Sequence, residues 1–258
     1  MAGEGYILIE MELGRPLKVY QYTIQSMHYV LKESWYYMQI SVLYEDNHLL
    51  VVQKPINIPV QKDNTGDKDL LTILKHDLKI RYQKPGNVFL GLVHRLDRPV
   101  GGVMTFAKTS KAASRLSDVI RRRAFDRRYL AVVRGAPPAS HGVMQHYLFK
   151  NQRENKVYTV PAHYKNAKKA ILKYEMISKI KDLSLLSIQL YTGRPHQIRV
   201  QLSTSGCPIY GDQKYGLKSH PGQQIALWAN LLQFEHPTKK KMVKIESLPP
   251  KEYPWNLW

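Results

Sequence analysis

The stretch His94-Arg95-Leu96-Asp97-Arg98-Pro99-Val100-Gly101-Gly102 sets a single carboxylate between two guanidiniums and closes on a Gly-Gly turn. Cations on both sides favour the ionised form of a carboxylate, the form a covalent nucleophile needs. Pro99 and the two glycines stop a strand from running through. Where the chain is extended, alternate side chains point to opposite sides, so Arg95 and Asp97 share one side and Leu96 takes the other. An isolated Arg-x-Asp at a strand end would read as a surface ion pair, so the surroundings that the chain supplies decide its meaning. Taken one at a time, other chemistry-bearing residues are equally plain. Tyr129 reads as a half-buried strand aromatic, Arg199 as a helix-surface charge, and His94 and His196 as hydrogen-bonded structural histidines.

These residues must be positioned by recognisable elements. Val42 to Tyr44 and Leu49 to Val52 read as two short strands around the polar turn Glu45-Asp46-Asn47, the second ending at Lys54-Pro55. Thr109 or Ser110 can cap a helix whose apolar positions Ala112, Ala113, Leu116, Val119 and Ile120 recur at helical spacing. Arg121-Arg122-Arg123 close it, where cations suit the helix C-terminus. Tyr129 to Val133 is strand-like and stops at Gly135-Ala136-Pro137-Pro138. A strand from Leu185 to Leu190 runs into Thr192-Gly193-Arg194-Pro195; the pattern predicts a helix with Pro195 in its first turn and Gly206 at its end. Strands and helices mix without regular alternation and without a Gly-rich phosphate loop. The expected fold is therefore α+β, a mixed, largely antiparallel sheet with flanking helices, rather than a doubly wound nucleotide fold.

Charge narrows the partners. Lysine and arginine number 39 against 20 acidic residues, a formal +19. Residues 1–40 carry three basic and four acidic side chains, so the rest of the chain carries a formal +20. Such an excess suits a phosphate polymer, whose counterions are released when cations neutralise it. The runs Arg121-Arg122-Arg123, Lys168-Lys169 and Lys239-Lys240-Lys241 read either as solvated faces or as contacts to an RNA backbone. The terminal Tyr253 to Trp258 segment reads as docking on the core, with stacking on RNA as the other use. One cysteine, Cys207, excludes an internal disulfide framework and fits a reducing, cytoplasmic compartment. No stretch approaches the roughly 18 apolar residues of a membrane span, and no signal peptide opens the chain, so no membrane association is expected. Residues 1–40 differ from the rest and are expected to be an N-terminal extension without an accessory RNA-binding domain, ahead of a catalytic domain over 41–258.

The segment around Asp97 resembles the His-Arg-Leu-Asp-x-x-x-Ser-Gly signature of RluA-type RNA pseudouridine synthases, and the resemblance continues in order. Tyr44-Glu45-Asp46 through Leu50 to Pro55 is similar to the family's opening motif. Arg128-Tyr129-Leu130-Ala131-Val132-Val133 is similar to the strand bearing its active-site tyrosine. Thr192-Gly193-Arg194-Pro195-His196-Gln197-Ile198-Arg199-Val200 resembles the segment with its aspartate-pairing arginine, and Gly206 to Asp212 with Tyr215-Gly216 resembles the next segment of the family's pattern. The likeness covers about residues 41 to 250. Asn57 departs from the family's glycine, and Gly101 from its serine; asparagine is the next most tolerant residue for a left-handed backbone.

The resemblance implies an isomerase that breaks the glycosidic bond of a uridine in ribosomal or transfer RNA, turns the uracil, and joins its C5 to the sugar. It implies no metal and no organic cofactor. Asp97 would be the covalent nucleophile, attacking either the sugar or the ring. Tyr129 would stack on the base and move protons, and Arg199 would hold Asp97 by a charge-assisted pair. Arg95 would fill the space of the extracted base, with His94, Arg98 and His196 as further RNA contacts. RNA is the expected partner, without an obligate protein partner, and the chain is expected to act as a monomer. A catalytically silent RNA chaperone on the same fold would be expected to have lost Asp97, Tyr129 or Arg199; all three are present. A metal-dependent nuclease would need clustered carboxylates, whereas the core motif holds one and the histidines show no ligand spacing.

Overall fold

The computed structural model describes residues 40–216 and 219–258. The N-terminal extension expected over 1–40 lies outside these residues, apart from its last position. Residues Ser41 to Trp258 form one compact unit.

Eleven strands form one sheet: β1 (Ser41–Glu45), β2 (Leu49–Lys54), β3 (Gly91–Leu92), β4 (Gly101–Ala107), β5 (Asp126–Arg134), β6 (His141–Asn151), β7 (Lys156–Val160), β8 (Lys168–Ile180), β9 (Leu183–Leu190), β10 (Leu227–Glu235) and β11 (Met242–Glu246). The spatial order is β1-β2-β4-β10-β5-β9-β8-β6-β7, with β3 beside β4 and β11 beside β10. Among these described strands only the β4–β10 pairing is parallel. Among the described residues the α-helices are α1 (Leu70–Arg81), α2 (Ser110–Arg121) and α3 (Gln197–Thr204). This is the mixed, largely antiparallel α+β sheet that the sequence predicts.

Local chemistry explains the elements. Asp46 accepts from the backbone N–H of His48 and Leu49 at 2.8 and 2.9 Å, which closes the turn between β1 and β2. Strand β4 is buried along all seven residues, which fits an element enclosed on both faces. The Thr109 hydroxyl caps α2 by accepting from the Ala112 N–H at 3.2 Å. α3 starts later than predicted. Pro195 stands two positions before it, and His196 adopts φ 50, a left-handed turn that re-aims the chain into the helix at Gln197. Gly206, at φ +79, ends that helix as predicted. Val200 of α3 packs with Leu148, Val157 and Ala170 of β6, β7 and β8, so the helix is held on the sheet by apolar contact.

Two registers position the chemistry. Trp228 and Ala229 of β10 lie beside Gly101 and Gly102 on one side, and beside Leu130 and Tyr129 on the other. The turn carrying Asp97, just before β4, therefore sits near the middle of β5. On the far side of β5, Tyr129 pairs with Ile188 of β9, the strand that leads into α3.

Candidate active site

A cleft of about 1010 Å³ opens where the Asp97 turn, β5 and the start of α3 converge. Eight cationic and two acidic side chains line it, so the cleft is strongly positive and takes a share of the basic excess read from composition.

Asp97 is partly exposed and its carbonyl accepts from the Val100 N–H at 3.0 Å, which closes the turn. Leu96 is buried and Arg95 exposed, as the alternation predicts. The Asp97 carboxylate accepts one hydrogen bond from a described side chain, Arg199 Nη1 at 3.1 Å. Arg199 is itself clamped by Asp212, which accepts from Nε and Nη2 at 2.8 Å each in a bidentate pair. Asp212 also accepts from the N–H of Lys214 and Tyr215 at 2.9 and 3.1 Å. Burial works against the charge on Arg199, but the hydrogen bonds and fields of the two carboxylates raise its pKa further, so it stays a cation.

Beneath the turn lies Lys54, completely buried, whose ammonium donates to the carbonyls of Pro55, Arg98 and Val100 at 2.8 to 2.9 Å. Burial pushes its pKa down to about 7, against the opposing pull of Asp97. Neither Asp212 nor Lys54 stands out in the sequence as a site residue, although both lie inside the recognised motifs. What identifies them is a buried charge with defined partners, which only the fold displays. Gly101 has a packing reason: a Cβ there would lie 2.3 Å from the Trp228 indole. Asn57 has a conformational one, since its φ is 62.

Tyr129 lines the same cleft with its ring largely buried, and burial raises its phenol pKa, so the hydroxyl keeps its proton. His196 also lines the cleft, and its Nδ1 lies 2.7 Å from the Tyr215 hydroxyl, which in turn accepts from the Val157 N–H. Burial lowers the His196 pKa, which favours the neutral ring in this pair. The remaining residues of the predicted set divide. Arg95 reaches into the cleft with one long contact, 3.4 Å to Gln61. Arg98 is engaged by the loop after β2, donating to the Asn57 carbonyl at 3.1 Å, to Thr65 at 2.9 Å and to Asp67. His94 is turned inward, and its Nε2 accepts from the Thr105 N–H at 3.0 Å. Among the described residues no group of three or more His, Cys, Asp or Glu is arranged to hold a metal ion. Among them, too, no helix is long and apolar enough to cross a membrane.

A mixed sheet whose central cleft joins a partly exposed aspartate, a clamped arginine and a buried tyrosine amid cations defines the class: an enzyme that works on a polyanion. Residues 48–204 match the model of the RNA pseudouridylate synthase family. The ribosomal large subunit pseudouridine synthase D of Zymomonas mobilis is 32% identical over 224 residues, spanning 83% of this chain and 70% of that protein. Synthase C of Buchnera aphidicola is 32% identical over 214 residues, spanning 80% and 66%. In fold, the human RNA pseudouridylate synthase domain-containing protein 4 superposes with a TM-score of 0.72 over 91% of this chain and 97% of that one, at 24% identity. The chain belongs to the RluA family of RNA pseudouridine synthases and is an isomerase that acts on RNA.

Proposed function

We propose that this enzyme converts a uridine of ribosomal RNA to pseudouridine with Asp97 as the covalent nucleophile. The observation that carries this reading is the contrast inside one cluster: Arg199 is clamped bidentately by Asp212, while Asp97 accepts one hydrogen bond from Arg199 and keeps acceptor capacity in the cleft.

In the reaction the bond from N1 to the sugar C1′ breaks and one from C5 to C1′ forms. The proton on C5 is given up and one is gained at N1, so no electrons enter or leave. Asp97 bonds either to C1′, holding the sugar while the uracil turns, or to the ring, and is released when the new carbon–carbon bond is complete. Arg199 orients the carboxylate and balances its charge as it forms and leaves that bond. Tyr129 supplies a ring face for the uracil, and its phenol relays the proton leaving C5. Lys54 fixes the carbonyls of the turn from below, so that the aspartate is held by the backbone rather than by its side chain alone. Arg95, exposed and lightly held, suits insertion into the stack once the base is extracted. The inward ring of His94 and the loop contacts of Arg98 favour support of the turn over contact with RNA.

The proposed target rests on the relatives named for the large ribosomal subunit. Pseudouridines are to be mapped in total RNA from cells lacking the gene and from cells supplied with the wild-type or the Asp97→Asn chain. At least one ribosomal uridine should lose its modification without the gene and regain it with the wild type only. With purified protein, Asp97→Asn should lose roughly 10³-fold or more in single-turnover rate. A variant that keeps more than a few per cent of the rate removes Asp97 from the chemistry. Modification confined to transfer RNA would move the target and leave the reaction.

A further inference from the structure

Among the cations of the cleft, Arg127 is held differently from the rest. Arg98, Arg194 and Arg199 all donate to protein acceptors: the loop after β2, the Lys169 carbonyl at 2.9 Å, and the two carboxylates. Arg127 is half-buried, its Nε is shielded from solvent without an acceptor, and no described residue pairs with its guanidinium. An exposed arginine needs no partner because water serves. The half-buried guanidinium therefore lacks a charge partner, and because Nε is closed to solvent an anionic ligand offsets that cost through the Nη groups.

Two further features aim this group. Arg127 and Tyr129 are two residues apart on β5, so they project from the same face, and both line the cleft. The step between them is about 7 Å along the strand, comparable to the offset between a nucleotide's base and its own phosphate. Opposite the guanidinium stands Gly193, where a Cβ would lie 2.6 Å from Arg127 Nη1. The bare backbone at 193 is therefore what leaves room for the arginine head in the cleft.

We propose that Arg127, seated against Gly193, is the binding site for one backbone phosphate of the substrate RNA, beside the nucleotide presented to Asp97. This rests on the proposed role of the Asp97 cleft as the receiver of the target nucleotide. A phosphate oxygen pair matches the planar fork of a guanidinium, and the contact fixes where along the strand the reacting base must fall. Arg127 is thus a positioning residue: it sets register, while Asp97 performs the chemistry.

The probe is a short fluorescein-labelled oligouridylate, used unmodified and as a series in which one linkage at a time is a neutral methylphosphonate. Binding to the full-length chain is followed by anisotropy against salt. Arg127→Gln should weaken binding roughly tenfold and lower the slope of log affinity against log salt by about 0.7, the share of one phosphate on a single strand. Arg127→Lys should restore the slope. On the wild type one methylphosphonate position should cost about as much as the mutation, and on Arg127→Gln that same position should cost nothing. Gly193→Ala, which takes the space of the guanidinium but leaves its charge, should weaken binding in the wild type and add nothing to Arg127→Gln. The thermal midpoint of Arg127→Gln should match or exceed that of the wild type, because a shielded donor has been removed. An unchanged salt slope, or methylphosphonate costs equal in both proteins, overturns the phosphate site. The turnover of Asp97→Asn is measured in parallel. If Asp97→Asn is inactive while the Arg127 slope is unchanged, only the phosphate site falls; if Asp97→Asn turns over, the catalytic reading falls on its own evidence.

Discussion

Asp46 and Asp97 are both aspartates at turns, both close to cations, and they are spent in opposite ways. Asp46 accepts from two backbone N–H groups, from the Tyr44 hydroxyl at 2.9 Å, from Lys239 at 2.8 Å and from His236 Nε2 at 2.9 Å. The other nitrogen of His236 accepts from the Thr238 and Lys239 N–H groups, so the ring donates to Asp46. Burial alone would raise the Asp46 carboxyl, but these donors outweigh it and hold it well below the usual carboxylate range. Its side chain is 13% exposed, that of Asp97 26%. A carboxylate with every lone pair engaged ties elements together; one with lone pairs to spare, held from behind, can bond to something else. Charge around an aspartate does not separate the two roles, and unspent acceptor capacity does.

The largest effect tests that contrast directly. Asp97→Asn should abolish turnover and shift the thermal midpoint by no more than about 2 °C, within the range of surface substitutions. Asp46→Asn should do the reverse, leaving the rate per folded molecule near wild type. Paired rates and melting curves for the two variants would break the comparison if each variant lost both properties.

Asp212 sharpens the contrast, because it is as saturated as Asp46 yet reaches the chemistry through Arg199. Asp212→Asn should lower the turnover number roughly 10–100-fold with little change in KM, as expected of a group that orients another. It should also cost about 3–5 kcal/mol of stability, since a buried guanidinium loses its charge partner. If the rate falls in KM alone, Arg199 is binding RNA rather than steering Asp97. The Asp46→Asn cost is smaller, about 2 kcal/mol from charge-assisted bonds replaced by neutral ones, or roughly 4–8 °C for a domain of this size.

How far the sequence can be read obeys the same division between local and long-range causes. The β1–β2 turn, α2 with its Thr109 cap, and the β5 and β9 strands are set by neighbouring residues and are legible in them. α1 is blurred although Asp69 caps it, accepting from the Thr72 N–H at 3.0 Å, because Leu71 and the exposed Ile80 stand outside the buried stripe of Leu70, Ile73, Leu74 and Leu78 and weaken its contrast. The long β6 and β8 strands escape the pattern because exposed lysines and a hydrophobic alternation that falters at several positions blur their period. His196 displaces the start of α3 because its left-handed turn is sustained by tertiary contact with Tyr215, which the local sequence does not announce. In the site, Asp97, Tyr129 and Arg199 meet on one cleft from separate elements. Asp212, Lys54 and Arg127 acquire meaning from burial and from who their partners are, and neither is a property of spacing.

The smallest predicted effect separates the two regions by pH. His94 accepts the Thr105 N–H on Nε2, so the proton of the neutral ring sits on Nδ1, which is buried without a partner. Burial, with Arg127 nearby, pushes its pKa down to about 3. The unfolded chain, where a histidine titrates near 6.5, then binds a proton that the folded chain refuses, so the stability His94 provides is complete above about 6.5 and is lost as pH falls from there toward 3. His146 and His196, also lowered by burial, add to the same window. The Asp46 contribution lies lower: it is present above roughly 4, where an unfolded aspartate ionises, and is lost only as pH falls below that. Thermal midpoints measured from pH 8 to 3 should therefore decline in two stages. His94→Gln, whose amide oxygen can still accept the Thr105 N–H, should flatten the first stage in part and leave the second. Asp46→Asn should flatten the second and leave the first. Arg127→Gln should also soften the first stage, because one of the two forces lowering His94 is gone. A first stage that survives His94→Gln at full slope would mean that the ring is protonated in the folded protein, and that the turn carrying Asp97 is supported by a charge rather than by a neutral acceptor.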